Sequence, residues 1–167
     1  MIWLFLSSGL FLGWSLGAND AANIYGTAVG TRMVKFRTAA ILTCIFVAIG
    51  AVVSGAGASH TLGKLGAVNA LAGSFTVALA AGATVAAMTR AGLPVSTSQA
   101  IVGAIIGWNL FTGSPTEMST LSKIVSTWVL CPVLAAGFAI VFHVIFVRFF
   151  RRFHLHLLWE DMLTRWA

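Results

Sequence analysis

The sequence is poor in charge. Asp, Glu, Lys and Arg together make up 8% of its 167 residues, whereas hydrophobic residues make up 59%. A soluble globular domain of average composition contains about 25% charged residues. This shortage excludes an ordinary soluble domain and indicates a protein that lies within a bilayer, in contact with membrane lipid.

Cysteine and acidic residues are also scarce. The two cysteines, Cys44 and Cys131, lie inside apolar runs and therefore predict neither a disulfide framework nor a metal site of the cysteine type. Asp20 is the one acidic residue in the first hundred positions, and intramembrane aspartic catalysis needs two carboxylates that share a proton. No His or Lys lies near Ser98 in sequence to serve as the base of a serine enzyme. We therefore expect neither an enzyme nor a bound cofactor.

Long stretches of the chain carry no formal charge. Residues 38–59, 65–89 and 124–147 contain no Asp, Glu, Lys or Arg, and each stretch exceeds the roughly 20 residues that cross a bilayer as a helix. Residues 1–19 and 91–116 are two further uncharged stretches, interrupted by glycine, polar residues or proline. The sequence predicts an all-α integral membrane protein with about five transmembrane segments.

The basic residues are distributed unevenly around these stretches. If all five cross, eight of the ten basic residues lie on one side and two, Lys64 and Lys123, lie on the other. Basic loops favour the cytoplasm, so the N-terminus is expected outside and the C-terminus inside a plasma (inner) membrane. The net charge of +6 is then explained by basic residues at the ends of the apolar stretches, where they set the orientation in the membrane. We therefore expect no nucleic acid as a partner. The eight are Arg32, Lys35, Arg37, Arg90, Arg148, Arg151, Arg152 and Arg165.

A first polar cluster lies at the end of the first apolar stretch. Asn19, Asp20 and Asn23 can share one face of a helix, because they are separated by about one turn. An ionised carboxylate inside a membrane is costly unless a cavity, a cation or a partner faces it, and hard oxygen ligands suit Na⁺. The glycines that precede the cluster would permit a broken helix. The alternative is that the cluster caps a helix at the membrane surface.

A second polar cluster begins the fourth stretch. Pro94 prevents a helix from running through from the preceding segment, and Ser96 with Gln99 has the spacing of a capping box. A new helix is therefore expected near Ser96, with free N–H groups that suit an anion. Ser96, Thr97, Ser98 and Gln99 add neutral hydroxyl and amide donors. The alternative is an ordinary cap at the mouth of a span.

The two clusters complement each other, since one offers cation ligands and the other offers donors to an oxyanion. Neither contains Lys or Arg, so a co-bound cation would have to balance the charge of a multivalent anion. The pattern favours cation-coupled transport of an anion. Phosphate, sulfate and other tetrahedral oxyanions remain open at this point, because neutral donors do not distinguish among them.

The motifs resemble those of the inorganic phosphate transporter (PiT) family. Residues 17–23 read Gly-Ala-Asn-Asp-Ala-Ala-Asn and residues 26–30 read Gly-Thr-Ala-Val-Gly, similar to the first signature of that family. Residues 92–99 read Gly-Leu-Pro-Val-Ser-Thr-Ser-Gln, where the family pattern ends in Ser-Thr-Thr-His. The departure at Ser98 and Gln99 removes a titratable imidazole, which favours Na⁺ over H⁺ as the coupling ion.

The resemblance implies symport of inorganic phosphate with Na⁺ or H⁺ by two inverted repeats. It implies that Asn19, Asp20 and Asn23 form the Na⁺ site, and that Asn23 also binds phosphate. It further implies that phosphate, or a second cation, is contacted by Ser96, Thr97, Ser98 and Gln99.

The sequence holds one copy of each motif. We therefore expect a single transmembrane domain, residues 1–167, equivalent to the N-terminal half of such a transporter with the second repeat absent. Three explanations stay open: a fragment, a chain that pairs with a separate second half, or a homo-oligomer. The alternatives in function are a sulfate or other oxyanion permease, and a non-transporting half that needs a second repeat.

Overall fold

The computed structural model describes residues 2–66 and 71–153, and all of the secondary structure in these two ranges is helical. The prediction of an all-α membrane protein is thereby confirmed. Arg165, which contributes to the predicted orientation, lies outside the described residues. The five helices are α1 (Ile2–Gly30), α2 (Phe36–Leu65), α3 (Leu71–Arg90), α4 (Thr97–Thr112) and α5 (Met118–Phe153).

The chain divides into two compact units, Met1–Leu121 and Ser122–Ala167. The first unit contains α1 to α4 and every residue of the two polar clusters. The second contains most of α5, an apolar helix that includes Pro132. The candidate site lies within the first unit.

Three of the five helices are long and apolar enough to cross a membrane: α2, α3 and the part of α5 from Met118 to Phe149. α4 has 16 residues and is about 24 Å long, shorter than a hydrocarbon core of about 30 Å. α1 has the length to cross, but it is not among the helices that meet both criteria within the described residues. About five transmembrane segments were expected. The described residues form five helices, and three of these meet the criteria for a span.

The core of the first unit is built around α3, which packs against α1 on one side and α4 on the other. Val77, Ala81 and Val85 of α3 are buried in this core. Gly82 lies so close to α1 that an added Cβ would be 2.9 Å from the Phe11 ring and 3.2 Å from the Leu12 Cα. Small residues on α3 therefore permit the close backbone approach on which membrane helices depend.

The link between α3 and α4 forms as the sequence predicts. Gly92 adopts a left-handed conformation with φ of 73°, and the chain stays non-helical through Pro94 to Ser96. α4 begins at Thr97, and the hydroxyl of its N-cap residue Ser96 accepts a bond from the Gln99 N–H at 3.4 Å. A helix thus starts where the proline and the capping pair indicate.

At the opposite end of the unit, Asn109 joins α4 to the end of α2. Its Nδ2 donates to the Leu65 carbonyl oxygen at 3.4 Å and to Thr116 Oγ1 at 2.9 Å. The side chain is 1% exposed, and its Oδ1 has no hydrogen-bond partner among the described residues. An added Cβ on Gly66 would lie 2.5 Å from this oxygen, so Gly66 leaves the space that Asn109 occupies.

Candidate functional site

Asn19, Asp20 and Asn23 lie in the second half of α1, which runs unbroken from Ile2 to Gly30. The break that the glycines would permit is therefore absent; in a membrane, intact helical hydrogen bonding avoids unsatisfied backbone groups. The alternative interpretation of the cluster as an N-cap is wrong, because α1 begins well before it. Asn19 is buried, with 4% of its surface exposed, Asp20 is half-buried and Asn23 is exposed.

The Asn19 amide lies at the centre of the cluster. One of its polar atoms lies 2.9 Å from Thr89 Oγ1 of α3, and the other lies 2.8 Å from the Val95 carbonyl oxygen. With its nitrogen toward Val95, the amide donates to that carbonyl and, at 3.2 Å, to Asp20 Oδ1, while its oxygen accepts from Thr89. With its oxygen toward Val95, the amide accepts a bond from Asn23 Nδ2 at 3.3 Å. That oxygen then faces two others, the Val95 carbonyl oxygen at 2.8 Å and Asp20 Oδ1 at 3.2 Å.

The surroundings of the amide decide between these two orientations. Two oxygens 2.8 Å apart with no hydrogen between them repel each other, so these distances favour the orientation with the nitrogen toward Val95. A cation among these oxygens would reverse that preference, because Asn19 Oδ1, Asp20 Oδ1 and the Val95 carbonyl oxygen could then serve as its ligands. Oxygen atoms of these types are the ligands that hard cations select.

Thr97 brings the two clusters together. It is the first residue of α4 and is buried, with 4% of its surface exposed. Its Oγ1 donates to Asp20 Oδ1 at 3.3 Å, across a separation of 77 residues in the chain. The start of α4 therefore lies against the carboxylate of α1, and an ion at either cluster would lie close to the other.

Ser96, Ser98 and Gln99 are exposed and form a separate group at the start of α4. Ser96 Oγ caps the helix and lies 3.1 Å from Ser98 Oγ. In the part of the chain that the structure describes, the Gln99 side chain does not complete the capping box. The cap interpretation is therefore confirmed for Ser96. The amide N–H groups of Thr97 and Ser98 have no acceptor within the helix and could bind an anion.

Sequence reasoning missed Thr89 and Val95. Thr89 lies in the last turn of α3, and its hydroxyl lies 2.8 Å from the carbonyl oxygen of Val85 as well as 2.9 Å from the Asn19 amide. From the sequence alone, Thr89 beside Arg90 cannot be distinguished from a threonine that faces water at a helix end. The contribution of Val95 is a backbone carbonyl, which no side-chain pattern reveals, although Pro94 marks the non-helical backbone that exposes it.

Known proteins are similar to this chain along most of its length. The sequence profile of the Phosphate transporter family matches residues 16–165. A "Sodium-dependent phosphate transporter" of Plasmodium falciparum is 31% identical over 150 residues, which is 81% of this chain and 22% of the relative. The "Inorganic phosphate transporter 2-1, chloroplastic" of Arabidopsis thaliana is 33% identical over 140 residues, which is 77% of this chain and 24% of the relative. No solved structure matches the chain significantly.

The chain spans about a quarter of the length of these two relatives. The matched region contains both polar clusters and all five helices except the first half of α1. The family assignment also excludes an enzyme, as the sequence predicts. With its helices, its paired clusters and a profile match over residues 16–165, this chain is a membrane protein of the phosphate transporter family.

Proposed function

We propose that this chain takes part in symport of inorganic phosphate with a cation across a plasma (inner) membrane, and that the cation is Na⁺ in preference to H⁺. The observation that supports this proposal is the hydrogen bond between Thr97 and Asp20, which joins the first polar cluster, on α1, to the second, at the start of α4. A transporter that couples two ions of opposite charge needs such proximity. The name of the Plasmodium falciparum relative, which includes sodium dependence, is consistent with the choice of cation.

The Na⁺ would bind between α1 and the backbone that precedes α4. Its ligands would be Asp20 Oδ1, the Val95 carbonyl oxygen and Asn19 Oδ1, after the Asn19 amide has turned its oxygen toward Val95. Thr89 supports this orientation, because its Oγ1 accepts a bond from the Asn19 nitrogen at 2.9 Å. Asn23 supports it as well, since its Nδ2 donates to Asn19 Oδ1 at 3.3 Å.

Phosphate would bind at the start of α4. The N–H groups at the helix start and the hydroxyls of Ser96 and Ser98 can donate hydrogen bonds without adding charge. Thr97 would contribute its backbone N–H, because its one hydroxyl hydrogen is donated to Asp20. No Lys or Arg belongs to either cluster, so bound Na⁺ would offset part of the negative charge of phosphate. Each ion would therefore favour binding of the other, and this mutual dependence is the coupling that symport requires.

Na⁺ is preferred to H⁺ because of Gln99. An imidazole at this position would titrate near a pH of about 6.5 and could carry a proton, whereas an amide cannot. Asp20 is the one acidic side chain in the two clusters, and it is already bonded to Thr97. A cation bound by several oxygens fits this arrangement better than a transferable proton.

The remainder of the binding site would come from a second repeat of inverted topology, supplied by a separate half or by another copy of the chain. Exposed Asn23, Ser98 and Gln99 are the residues that would face it. The charge of an oxyanion alone does not select phosphate over sulfate. Phosphate is preferred because the family and both relatives named above are described as phosphate transporters.

The proposal is tested by uptake of radiolabelled phosphate into proteoliposomes that contain the chain, driven by an inward Na⁺ gradient. We expect uptake that requires the gradient and is not reduced by excess sulfate. Asp20→Asn should abolish the Na⁺ dependence, because it removes the charge and retains the shape. A control without a Na⁺ gradient reports leakage.

A binding measurement separates a failure of the site from a failure of assembly. Na⁺ should raise the thermal unfolding temperature of the purified chain, and Asp20→Asn should remove that increase. Na⁺ stabilisation without uptake would show that the chain holds the cation site but needs a second repeat to transport. Equal stabilisation of the wild-type chain and Asp20→Asn would disprove the proposed Na⁺ site.

A further inference from the structure

A groove runs between α1 and α2, and Asn19, Asp20 and Asn23 do not line it. It has a volume of about 560 Å³, and its surface is almost entirely apolar. Along α1 it extends from Gly17 to Gly30, a length of about 20 Å at 1.5 Å per residue. The α2 wall runs from Phe36 to Cys44 and includes Ala39 and Ala40. Small side chains on both helices leave this space open.

Three basic residues lie at the end of the groove where α1 and α2 are connected. Arg32 and Lys35 belong to the connecting turn, Arg37 belongs to the first turn of α2, and all three are exposed. Arg32 adopts a left-handed conformation with φ of 61°, uncommon for a residue other than glycine. Within residues 2–66 and 71–153, none of the three has an acidic partner.

We infer that this groove binds one anionic phospholipid, with an acyl chain along the groove and the headgroup phosphate at Arg32, Lys35 and Arg37. The apolar walls suit an acyl chain, and the groove has about the length of one leaflet of the hydrocarbon core plus the adjoining interface. The three basic residues at one end complement an anionic headgroup, as basic pockets between membrane helices commonly do. This inference does not rest on the transport of phosphate.

The dimensions of the groove favour a lipid over a transmembrane helix of another protein. A helix with side chains is about 10 Å across, so 20 Å of it occupies on the order of 1,600 Å³. The groove, at about 560 Å³, would therefore take only one face of such a helix. A helix would also have to bury its own side chains against the three cations, whereas a phospholipid presents its phosphate to them.

Native mass spectrometry of the purified chain tests the inference. The chain is incubated with equimolar phosphatidylglycerol and phosphatidylcholine that carry identical acyl chains, and the bound lipids are counted. We expect one tightly retained lipid, predominantly phosphatidylglycerol. The triple variant R32Q/K35Q/R37Q should lose this preference, by about fivefold for each charge removed. Lys64→Gln, at the far end of α2, is the matched control and should keep it.

Groove-filling variants test the acyl chain separately from the headgroup. Ala40→Phe should reduce retention of both lipids, whereas Ala48→Phe, on α2 but outside the groove, should not. Gly26→Leu provides a second filling variant, because an added Cβ at Gly26 meets no atom within 4 Å. Circular dichroism confirms that each variant is folded.

Three results would overturn the inference. Equal retention of the two lipids by the wild-type chain would show that the basic residues select no anionic headgroup. Equal losses in Ala40→Phe and Ala48→Phe would show that the lipid does not occupy the groove. Displacement of phosphatidylglycerol by millimolar inorganic phosphate would assign the basic residues to free phosphate instead of a lipid.

Discussion

The hydroxyl of Thr97 donates to the carboxylate of Asp20 over 3.3 Å, and this bond joins the first residue of α4 to the second half of α1. Both partners are at least half-buried, so water competes weakly for the bond. Any movement of α4 relative to α1 must stretch or break it. An ion bound at Asp20 would thus be linked to the position of the helix start at which we propose that phosphate binds.

Replacing Thr97 with valine should weaken Na⁺ binding. The substitution keeps the shape of the buried side chain but removes the hydroxyl, and a hydrogen bond to a charged group contributes about 1.5–3 kcal/mol. We therefore expect the Na⁺ concentration that gives half-maximal stabilisation to rise about tenfold or more. Thr97→Ser keeps the hydroxyl and should remain near the wild-type value. An unchanged Na⁺ requirement in Thr97→Val would remove this bond from the cation site.

Thr89 should act as a positioning residue for Asn19. Thr89→Val leaves the buried Asn19 amide without its partner on α3, and an unsatisfied buried group costs about 1–3 kcal/mol. We expect a lower free energy of unfolding in a denaturing detergent titration, together with a raised Na⁺ requirement. Thr89→Ser should restore both properties. A loss of stability with normal Na⁺ dependence would limit Thr89 to a structural role.

The contact between α1 and α3 should not tolerate a side chain at position 82. In Gly82→Ala the new Cβ would meet the Phe11 ring and the Leu12 backbone, and overpacking of this kind costs about 1–3 kcal/mol. Gly103→Ala is the matched control, because a Cβ there meets no atom within 4 Å and alanine favours the helix. Detergent-induced unfolding of both variants measures the difference. Equal stabilities would argue against the close packing at Gly82.

An imidazole at position 99 should make transport sensitive to pH. Below a pH of about 6.5 the side chain of Gln99→His would be cationic and would attract phosphate to the start of α4. Uptake relative to wild type should then rise about two- to fivefold between pH 7.5 and pH 5.5, the range expected for an exposed ion pair. Taking the ratio at each pH cancels the titration of phosphate itself. Gln99→Asn, which cannot titrate, should give a flat ratio.

The fold class and the start of α4 could be predicted because both depend on local sequence. Long uncharged stretches predict helices in a bilayer, and Pro94 with Ser96 and Gln99 specifies where a helix can begin. The pairing of Asp20 with Thr97 could not be predicted, because it depends on how α1 and α4 pack around α3. The glycines before Asn19 suggested a break that is absent, since glycine permits a break without requiring one.

The proposed roles of the site residues stay predictions, but the structure divides these residues by their burial. Buried Asn19 and Thr97 meet half-buried Asp20 in one cluster, whereas Asn23, Ser98 and Gln99 are exposed. A sequence motif does not distinguish between the two groups, because it contains only the order of residues along the chain. Burial separates those that can hold an ion within this unit from those that need a further surface opposite them.

The Asn109 amide fills the space that a side chain at position 66 would need, so any side chain there would overlap it. Substitutions at these two positions should therefore be correlated among homologous chains. Homologous chains that carry a larger residue at position 66 are expected to carry a smaller one than asparagine at position 109. In such chains the carbonyl at the end of α2 would lose its bond from this amide, so the pair would change together or stay fixed together.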